Sequence, residues 1–524
     1  MGGKLIKNPL QLIVFLSFIF LVVTPVAYTV ISGILLEDSA IDNFMLLNEK
    51  SFLLLFKSIL IAFLIALLST LFGTILGFIL YKTNVKFRSF FKIALLIPLF
   101  ISPYIIAVAW KDFLFLLFDN ANLISSYIGV VLVLTTVYTP LAMLITGSAF
   151  SNINIQLEES GLMITDLKTV ILKIIIPIIK PALMSSFVLI FIFSISEFSV
   201  PSYFGVPVFT TEIFTQFSAF YNHSFAIIQS SFLILICISL LYSERKYIAD
   251  APFLSIGTKG SNSKVYYLST NTNFTNLTIL VISFIISVIS PFAILIIQSF
   301  KGGVGHFRHA LELLAPTFIN SIFLALVGAI LVVLVGFSAA YYSNDQPKIK
   351  ATFNWLLLFI FAIPSIIYGI SLIKFYNQPS LNYIYSSSSI ILIAYVGKFS
   401  FISSKLIANA ISQIPYSLSE AAKVQGTSTI AYLLKILIPL ILPTLFVTFI
   451  ISFILCIGEL GTSIMLYPPG TEIMPIKVFT IMANAPQALT SSMVLIVLII
   501  TSLLITSFYF MAKPFFKKYI YIND

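Results

Sequence analysis

Residues 419–443 read SEAAKVQGTSTIAYLLKILIPLILP, and residues 157–181 read LEESGLMITDLKTVILKIIIPIIKP. At a constant offset of 262 positions, the two stretches share a glutamate, a lysine and two prolines: Glu158 and Glu420, Lys173 and Lys435, Pro177 and Pro439, Pro181 and Pro443. The same offset relates Glu197 to Glu459, and each of these lies in an apolar run. Apolar composition alone would pair leucine with isoleucine, not glutamate with glutamate, so we predict an internal repeat.

The repeat predicts two homologous halves of about six spans each, residues 1–243 and 277–524. The linker between them, residues 244–276, is rich in Ser, Asn and Thr, which is typical of a segment outside the membrane. Equivalent positions in the two halves are expected on the same side of the membrane. The repeat is therefore predicted to be parallel, with its pseudo-axis along the membrane normal.

The composition is that of a membrane protein. Hydrophobic residues make up 59% of the chain and charged residues 9%, whereas soluble domains average about 25% charged residues. The net charge of +10 would suggest nucleic acid in a soluble protein. Here the basic residues lie between apolar runs, where they orient a membrane protein, so we expect no nucleic-acid partner. Cys237 and Cys456 lie inside apolar runs and predict neither a disulfide nor a metal site.

Twelve apolar runs are long enough to cross a hydrocarbon core of about 30 Å, which takes roughly 20 helical residues. They centre near Val22, Ala66, Pro98, Thr135, Ile190, Leu233, Val288, Ala329, Ile363, Ala394, Ile451 and Val497. The predicted fold is therefore all-α, a polytopic bundle of about twelve membrane helices surrounded by lipid. The first run follows Lys4 and Lys7 and lacks a clear signal-peptide cleavage site, so we expect a retained span.

The basic residues predict the orientation. If the N-terminus is cytoplasmic, 21 of the 29 Lys and Arg residues fall in cytoplasmic segments, seven fall in outer segments, and Lys398 lies within a span. A three-to-one bias is what the positive-inside rule expects. Both termini are therefore predicted to be cytoplasmic.

One cytoplasmic loop in each half differs from the others. In the second, Glu420, Ala421 and Ala422 suit a short helix with acid near its start. Gly426 then permits a sharp turn, and Pro439 marks re-entry into the bilayer.

This pattern resembles the EAA loop of ABC importer permeases, and the resemblance implies a coupling helix that docks into a cleft of a cytoplasmic ATPase. The first copy carries Glu158, Glu159, Ser160 and Pro177, but Ile164 stands where the glycine is expected. The sequence leaves open whether this loop engages an ATPase. An amphipathic interfacial helix without a partner is the alternative interpretation of both loops.

The resemblance extends over nearly the whole chain. SEFSVPSYFGVPVFTTEIF at 196–214 and GELGTSIMLYPPGTEI at 458–473 look like ferric-iron-type permeases of this class. That implies a fused inner-membrane permease of a bacterium, with two ABC ATPase subunits and an extracytoplasmic solute-binding protein as partners. The chain shows no G-x-x-x-x-G-K-[ST] phosphate loop. We therefore expect no catalytic residue or bound cofactor in this chain, and ATP on the partner subunits. Related permeases carry thiamine, polyamines, phosphonates or sulfate.

Three charged residues are predicted inside the membrane: Glu197, Glu459 and Lys398. A charge in hydrocarbon costs at least about 2.5–3.5 kcal/mol on insertion scales. The two carboxylates either line a translocation pathway, or bond to helix ends and brace the outer loops. Lys398 either pairs with a carboxylate or extends toward an interface. His306 and His309, three apart beside Arg308, are read as a solvated outer loop rather than as metal ligands.

Two other classes remain open. An ion-driven secondary transporter can also have twelve spans in two parallel halves, but it should place charged pairs in mid-bilayer. A membrane enzyme would need a catalytic constellation, which three histidines and no clustered acids do not supply.

Overall fold

The computed structural model describes residues 9–35, 49–118, 124–248, 265–267, 269–301, 303–341 and 347–520. The first-span flank at Lys4 and Lys7, linker residues 249–264 and the last four residues lie outside this part of the chain. Within it the protein is all-helical, as the sequence predicts, apart from one isolated bridge between Thr83 and Tyr266.

The helices of the first half follow the predicted runs. They are α1 Pro9–Phe18, α2 Thr24–Leu35, α3 Glu49–Lys82, α4 Arg88–Ala94, α5 Pro103–Phe118, α6 Tyr127–Ser151, α7 Ile155–Ile164, α8 Leu167–Val170, α9 Ile176–Ser196, α10 Ser199–Phe204, α11 Phe209–Ser218 and α12 His223–Ile248. A π-helical turn at Ile19–Val23 joins α1 to α2, and another at Ile171–Ile175 joins α8 to α9. A 3₁₀ turn at Ile97–Phe100 follows α4.

The second half has the same series. It comprises α13 Thr270–Phe284, α14 Ser290–Lys301, α15 Val304–Tyr341, α16 Pro347–Ala362, α17 Ser365–Tyr376, α18 Asn382–Tyr385, α19 Ser389–Ser412, α20 Tyr416–Val424, α21 Thr429–Tyr432, α22 Ile438–Ile457, α23 Ser463–Leu466, α24 Met474–Met482 and α25 Gln487–Ile520. Its π-helical turns are Ile285–Ile289 and Leu433–Leu437. The second of these lies 262 positions after the turn at Ile171–Ile175, which is the offset of the sequence repeat.

Local contacts recur along with the elements. The Phe209 amide donates to the Ser58 hydroxyl over 2.8 Å at the start of α11, and the Met474 amide donates to Ser321 over 2.7 Å at the start of α24. Each bond ties a short helix to the long second span of its half. Each bond involves the hydroxyl of one particular serine. The two bonds therefore indicate a closer likeness between the halves than a shared order of helices does.

Within the part of the chain that the structure describes, ten helices are long and apolar enough to cross a membrane, or up to twelve if each of two bent pairs is one span. The bent pairs are Arg88–Phe100 with Pro103–Phe118, at 99°, and Ala351–Ala362 with Ser365–Tyr376, at 106°. The spans expected near Pro98 and Ile363 are therefore not straight crossings. Pro103 and Pro364 stand at the breaks and disfavour helical conformation in the residues before them.

The first span of each half packs on the other half. In the first span, the Phe15 ring meets Phe353 edge-on at 5.1 Å, and the Leu21 carbonyl accepts a bond from Tyr376 over 2.9 Å. In the second half, Phe284 meets the ring of Phe90 at 5.5 Å. This exchange interlocks the halves around one large apolar core.

The expected loop around His306 and His309 is wrong, because both residues lie in the first turns of α15. His309 is half exposed beside Glu312, on the next turn of the helix. Among the described residues, no group of three or more His, Cys, Asp or Glu side chains is arranged to hold a metal ion.

Candidate functional site

The second EAA-like loop forms a short helix and a sharp turn. Glu420 and Ala421 are exposed on α20, whereas Ala422 is buried at 6% exposure. Gly426 has φ of +68°, a left-handed conformation that favours glycine. Pro439 lies in the first turn of α22, directly after the π-helical turn Leu433–Leu437. The loop thus has the local structure that its sequence predicts.

The first EAA-like loop makes its turn without glycine. Helix α7 is capped by Asn154, whose side-chain oxygen accepts a bond from the Gln156 amide over 2.9 Å. The helix continues through Ile164, and Thr165 then takes an extended conformation, which any residue can adopt. The isoleucine in place of glycine therefore moves the turn by about one residue and does not abolish the helix.

The four residues of the first loop that resemble the EAA motif are Glu158, Glu159, Ser160 and Pro177, and they have different surroundings. Glu159 and Ser160 are exposed on α7, and Pro177 lies in the first turn of α9. Glu158 is fully buried and accepts hydrogen bonds from the Lys82 ammonium group and, over 2.7 Å, from the Tyr266 hydroxyl. Glu158 and Glu420 thus occupy equivalent sequence positions but unlike environments.

Both loop helices expose large apolar side chains. Met163 and Ile164 at the end of α7 are each 87% exposed, and Val424 at the end of α20 is 88% exposed. Isolated exposed apolar residues are ordinary on protein surfaces. Here they lie at equivalent helix ends, next to the turns that lead back into the membrane.

Glu197 and Glu459 each brace a helix start. Glu197 ends α9, and its carboxylate accepts bonds from the Ser199 amide over 2.8 Å and from the Ser199 hydroxyl. Glu459 accepts bonds from the amides of Thr462 and Ser463, over 2.6 and 2.9 Å. The sequence left two interpretations open, a lining of the translocation pathway or a brace at helix ends. These contacts have the geometry of a brace.

The same carboxylates also border a cavity between the halves. This cavity, of about 210 Å³, is lined by both glutamates, by Lys398 and by the breaks of the two bent spans. The Lys398 ammonium group donates to the carbonyl of Ile363 over 2.7 Å and to that of Phe361 over 3.3 Å. Lys398 therefore satisfies carbonyls that the bend of the second pair leaves without helical partners. The structure brings Glu197, Glu459 and Lys398 together at one place.

Two buried polar contacts were not foreseen from the sequence. The Lys82–Glu158 pair could not be predicted, because a lysine at the end of an apolar run such as Lys82 is typical of a residue that orients a membrane helix. Asp112 is 1% exposed and accepts a bond from the Ser491 hydroxyl over 2.5 Å, linking the two halves. The sequence signal for this contact was the carboxylate of Asp112 within the apolar residues 103–118. The adjacent Lys111 obscured that signal.

Replacing Glu459 by Gln tests the brace. We expect a loss of about 2 kcal/mol in the free energy of unfolding, because hydrogen bonds to a charged group contribute roughly 1.5–3 kcal/mol. Glu472→Gln is the control, since the Glu472 side chain is partly exposed and pairs with Lys477 near the surface, where such pairs contribute about 0–1 kcal/mol. Denaturation of the two variants in mixed micelles measures both values. Equal stabilities would show that the carboxylate braces nothing.

The sequence of this chain is similar to those of known transport proteins. Residues 332–520 match the family of binding-protein-dependent transport system inner membrane components. The ferric transport system permease protein of Actinobacillus pleuropneumoniae is 22% identical over 401 residues, which are 69% of this chain and 57% of that protein. An Fe(3+)-transport system permease protein of Haemophilus influenzae is 22% identical over 76% of this chain and 78% of its own length. A putative 2-aminoethylphosphonate transport system permease protein of Salmonella paratyphi A is 24% identical over 41% of this chain and 82% of its own.

The helical fold and these matches make the chain similar to multi-pass transport permeases of the bacterial inner membrane. Within that class, residues 332–520 resemble the inner membrane components of binding-protein-dependent transport systems, and the chain is similar to permeases of the ferric type. The predicted resemblance to permeases of binding-protein-dependent importers is thereby confirmed. That the two EAA-like loops dock on ATPase subunits stays a prediction.

Proposed function

We propose that this chain forms the transmembrane pathway of an ATP-driven importer and moves ferric iron from a solute-binding protein to the cytoplasm. The observation that carries the proposal is the pair of intracellular helices, α7 and α20. They occupy equivalent positions in residues 1–243 and 277–524, and each leads through a π-helical turn into a membrane helix. A secondary transporter has no need of two such matched helices.

The proposed mechanism is alternating access. Two ATPase subunits dock on α7 and α20, with both termini of the chain on the same, cytoplasmic side. Closure of the ATPases on ATP moves the two helices and rocks the halves against each other. ATP stays on the partner subunits, and this chain binds no cofactor.

The proposed pathway runs through the cavity between the halves. Glu197, Glu459 and Lys398 border it, and the two bent spans break beside it. Glu197, Glu459 and Lys398 thus place two carboxylates and an ammonium group at the interface between the halves, and intramembrane charges commonly mark substrate routes.

The substrate assignment is supported by the two relatives named for ferric iron. The relative named for 2-aminoethylphosphonate favours a phosphonate as the second candidate within the same mechanism. Thiamine, polyamines and sulfate are the remaining alternatives of the class.

Reconstitution tests the function. The chain is placed in proteoliposomes with its ATPase, and the loaded solute-binding protein is added outside. We expect ATP hydrolysis to rise and radioactive ferric iron to enter, with phosphonate uptake as the comparison. Uptake that follows a proton gradient and ignores ATP would instead establish a secondary transporter.

A further inference from the structure

Tyr266, in the segment that joins the halves, is bonded to the end of α3 and to the first intracellular helix. Its amide donates to the Lys82 carbonyl over 2.7 Å, and its hydroxyl donates to the Glu158 carboxylate over 2.7 Å. The Phe78 ring stacks on the Tyr266 ring with centroids 6.4 Å apart. Tyr266 is 6% exposed, whereas its neighbour Tyr267 is 86% exposed. One tyrosine of the linker is therefore built into the protein and the next is not.

Glu158 has no exposed surface with which to meet a partner. Both its side chain and that of Lys82 are 0% exposed. One carboxylate oxygen accepts from Lys82 and the other from Tyr266. A buried carboxylate needs such partners, because an unpaired charge in a dry site is very costly. Burial, and then the bonded Glu158 carboxylate, raise the pKa of the Tyr266 phenol, so this group stays a hydrogen-bond donor.

The same contacts fix α7 on two sides. Glu158 fastens one face of the helix to the end of α3. At Gly161, a Cβ atom would lie 2.6 Å from Ile174, so α7 also packs directly on the π-helical turn before α9. Displacement of α7 would thus act on two membrane helices at once. In the second half, by contrast, Glu420 is exposed.

We propose that Lys82, Glu158 and Tyr266 form a linker clamp that makes α7 and α3 move as one body. Glu158 is then a positioning residue and not a contact for the ATPase. The part of this inference that concerns transmission of motion rests on the proposed function. The clamp itself does not, since it is a property of the chain alone.

Hydrogen–deuterium exchange of the purified chain in nanodiscs tests the clamp. Tyr266→Phe removes the hydroxyl but keeps the ring and the Lys82–Glu158 pair, so the fold is preserved. We expect amides of residues 155–164 to exchange about tenfold faster, given the usual strength of a bond to a charged group. Tyr267→Phe is the matched control and should leave the exchange unchanged. If the two variants give the same exchange as the natural chain, there is no clamp.

The amount of substrate moved per ATP hydrolysed, measured in the assembled transporter, tests the positioning role. Tyr266→Phe should lower this ratio several-fold while ATP hydrolysis persists, and Tyr267→Phe should not. A merely structural role would lower the yield of folded protein and leave the ratio unchanged, which would contradict the assignment. If the natural chain binds no ATPase at all, the proposed function fails, but the exchange experiment still decides whether the clamp exists.

Discussion

Lys82→Met is expected to lower the free energy of unfolding by about 3–5 kcal/mol, the usual cost of removing one partner from a buried ion pair. The replacement leaves the Glu158 carboxylate buried with only the Tyr266 hydroxyl to satisfy it. Denaturant unfolding of the purified chain in mixed micelles measures the loss. Lys168→Met, at an exposed position on α8, is the control and should change stability by less than about 0.5 kcal/mol.

Adding a second substitution separates the cost of the unpaired buried charge from the cost of altered side-chain packing. In the double variant Lys82→Met with Glu158→Gln, the neutral amide can still accept from Tyr266 and leaves no buried charge. We expect this variant to recover more than half of the lost stability, because neutral replacements of buried pairs are often well tolerated. A double variant as unstable as Lys82→Met alone would show that the cost comes from packing.

Gly73→Val and Gly336→Val are expected to be comparably severe, each costing roughly 3 kcal/mol or more, at the upper end of overpacking effects. A Cβ atom at Gly73 would overlap Ala142 and lie 2.7 Å from the backbone nitrogen of Met143. At Gly336 it would overlap Ser403 and lie 2.8 Å from the backbone nitrogen of Ser404. Small residues let membrane helices approach this closely. A side chain here must push α3 from α6, or α15 from α19.

Gly305→Ala is the control for both, since nothing lies within 4 Å of the Cβ position there. It should be neutral or slightly stabilising, because alanine favours helix over glycine by up to about 1 kcal/mol. The yield of folded protein in the membrane and its unfolding in micelles measure all three variants. If the Val variants have the same folded yield and stability as Gly305→Ala, the helices are not closely packed at Gly73 and Gly336.

The features with strong sequence signals were predictable. Apolar runs of about twenty residues impose membrane helices because backbone groups in lipid must be satisfied within a segment. The recurrence of glutamate, lysine and proline at one offset placed α7 and α20, and Gly426 placed the turn after α20. These signals are local, so they can be read without knowing what packs against them.

The bends were not predicted, although their residues were visible. Proline is common in membrane helices and often leaves them continuous, so Pro103 and Pro364 alone do not decide between a kink and a break. The break near Ile363 depends on Lys398, which satisfies the freed carbonyls from another helix. That contact joins residues 35 positions apart and has no signature in either segment.

The environment of Glu158 could not be read from its motif. Glu158 and Glu420 hold the same position in the repeat, yet one is buried and the other exposed. The difference arises from Lys82 and from Tyr266, which lies 108 residues away in the linker and bonds to Glu158. The positions of the site residues could thus be predicted from the local sequence. Their bonding partners could not, because those depend on tertiary packing.

Cysteine cross-linking from the ends of α7 and α20 tests most directly whether these helices meet an ATPase. Cysteines at Met163 and Val424 are compared with one at Val304, which is 77% exposed at the other end of the bundle. Cys237 and Cys456 are buried, so the background is low. The account predicts that Met163→Cys and Val424→Cys each link to the co-expressed ATPase, and that Val304→Cys does not. Links from Val304→Cys alone, or from none of the three positions, would contradict it.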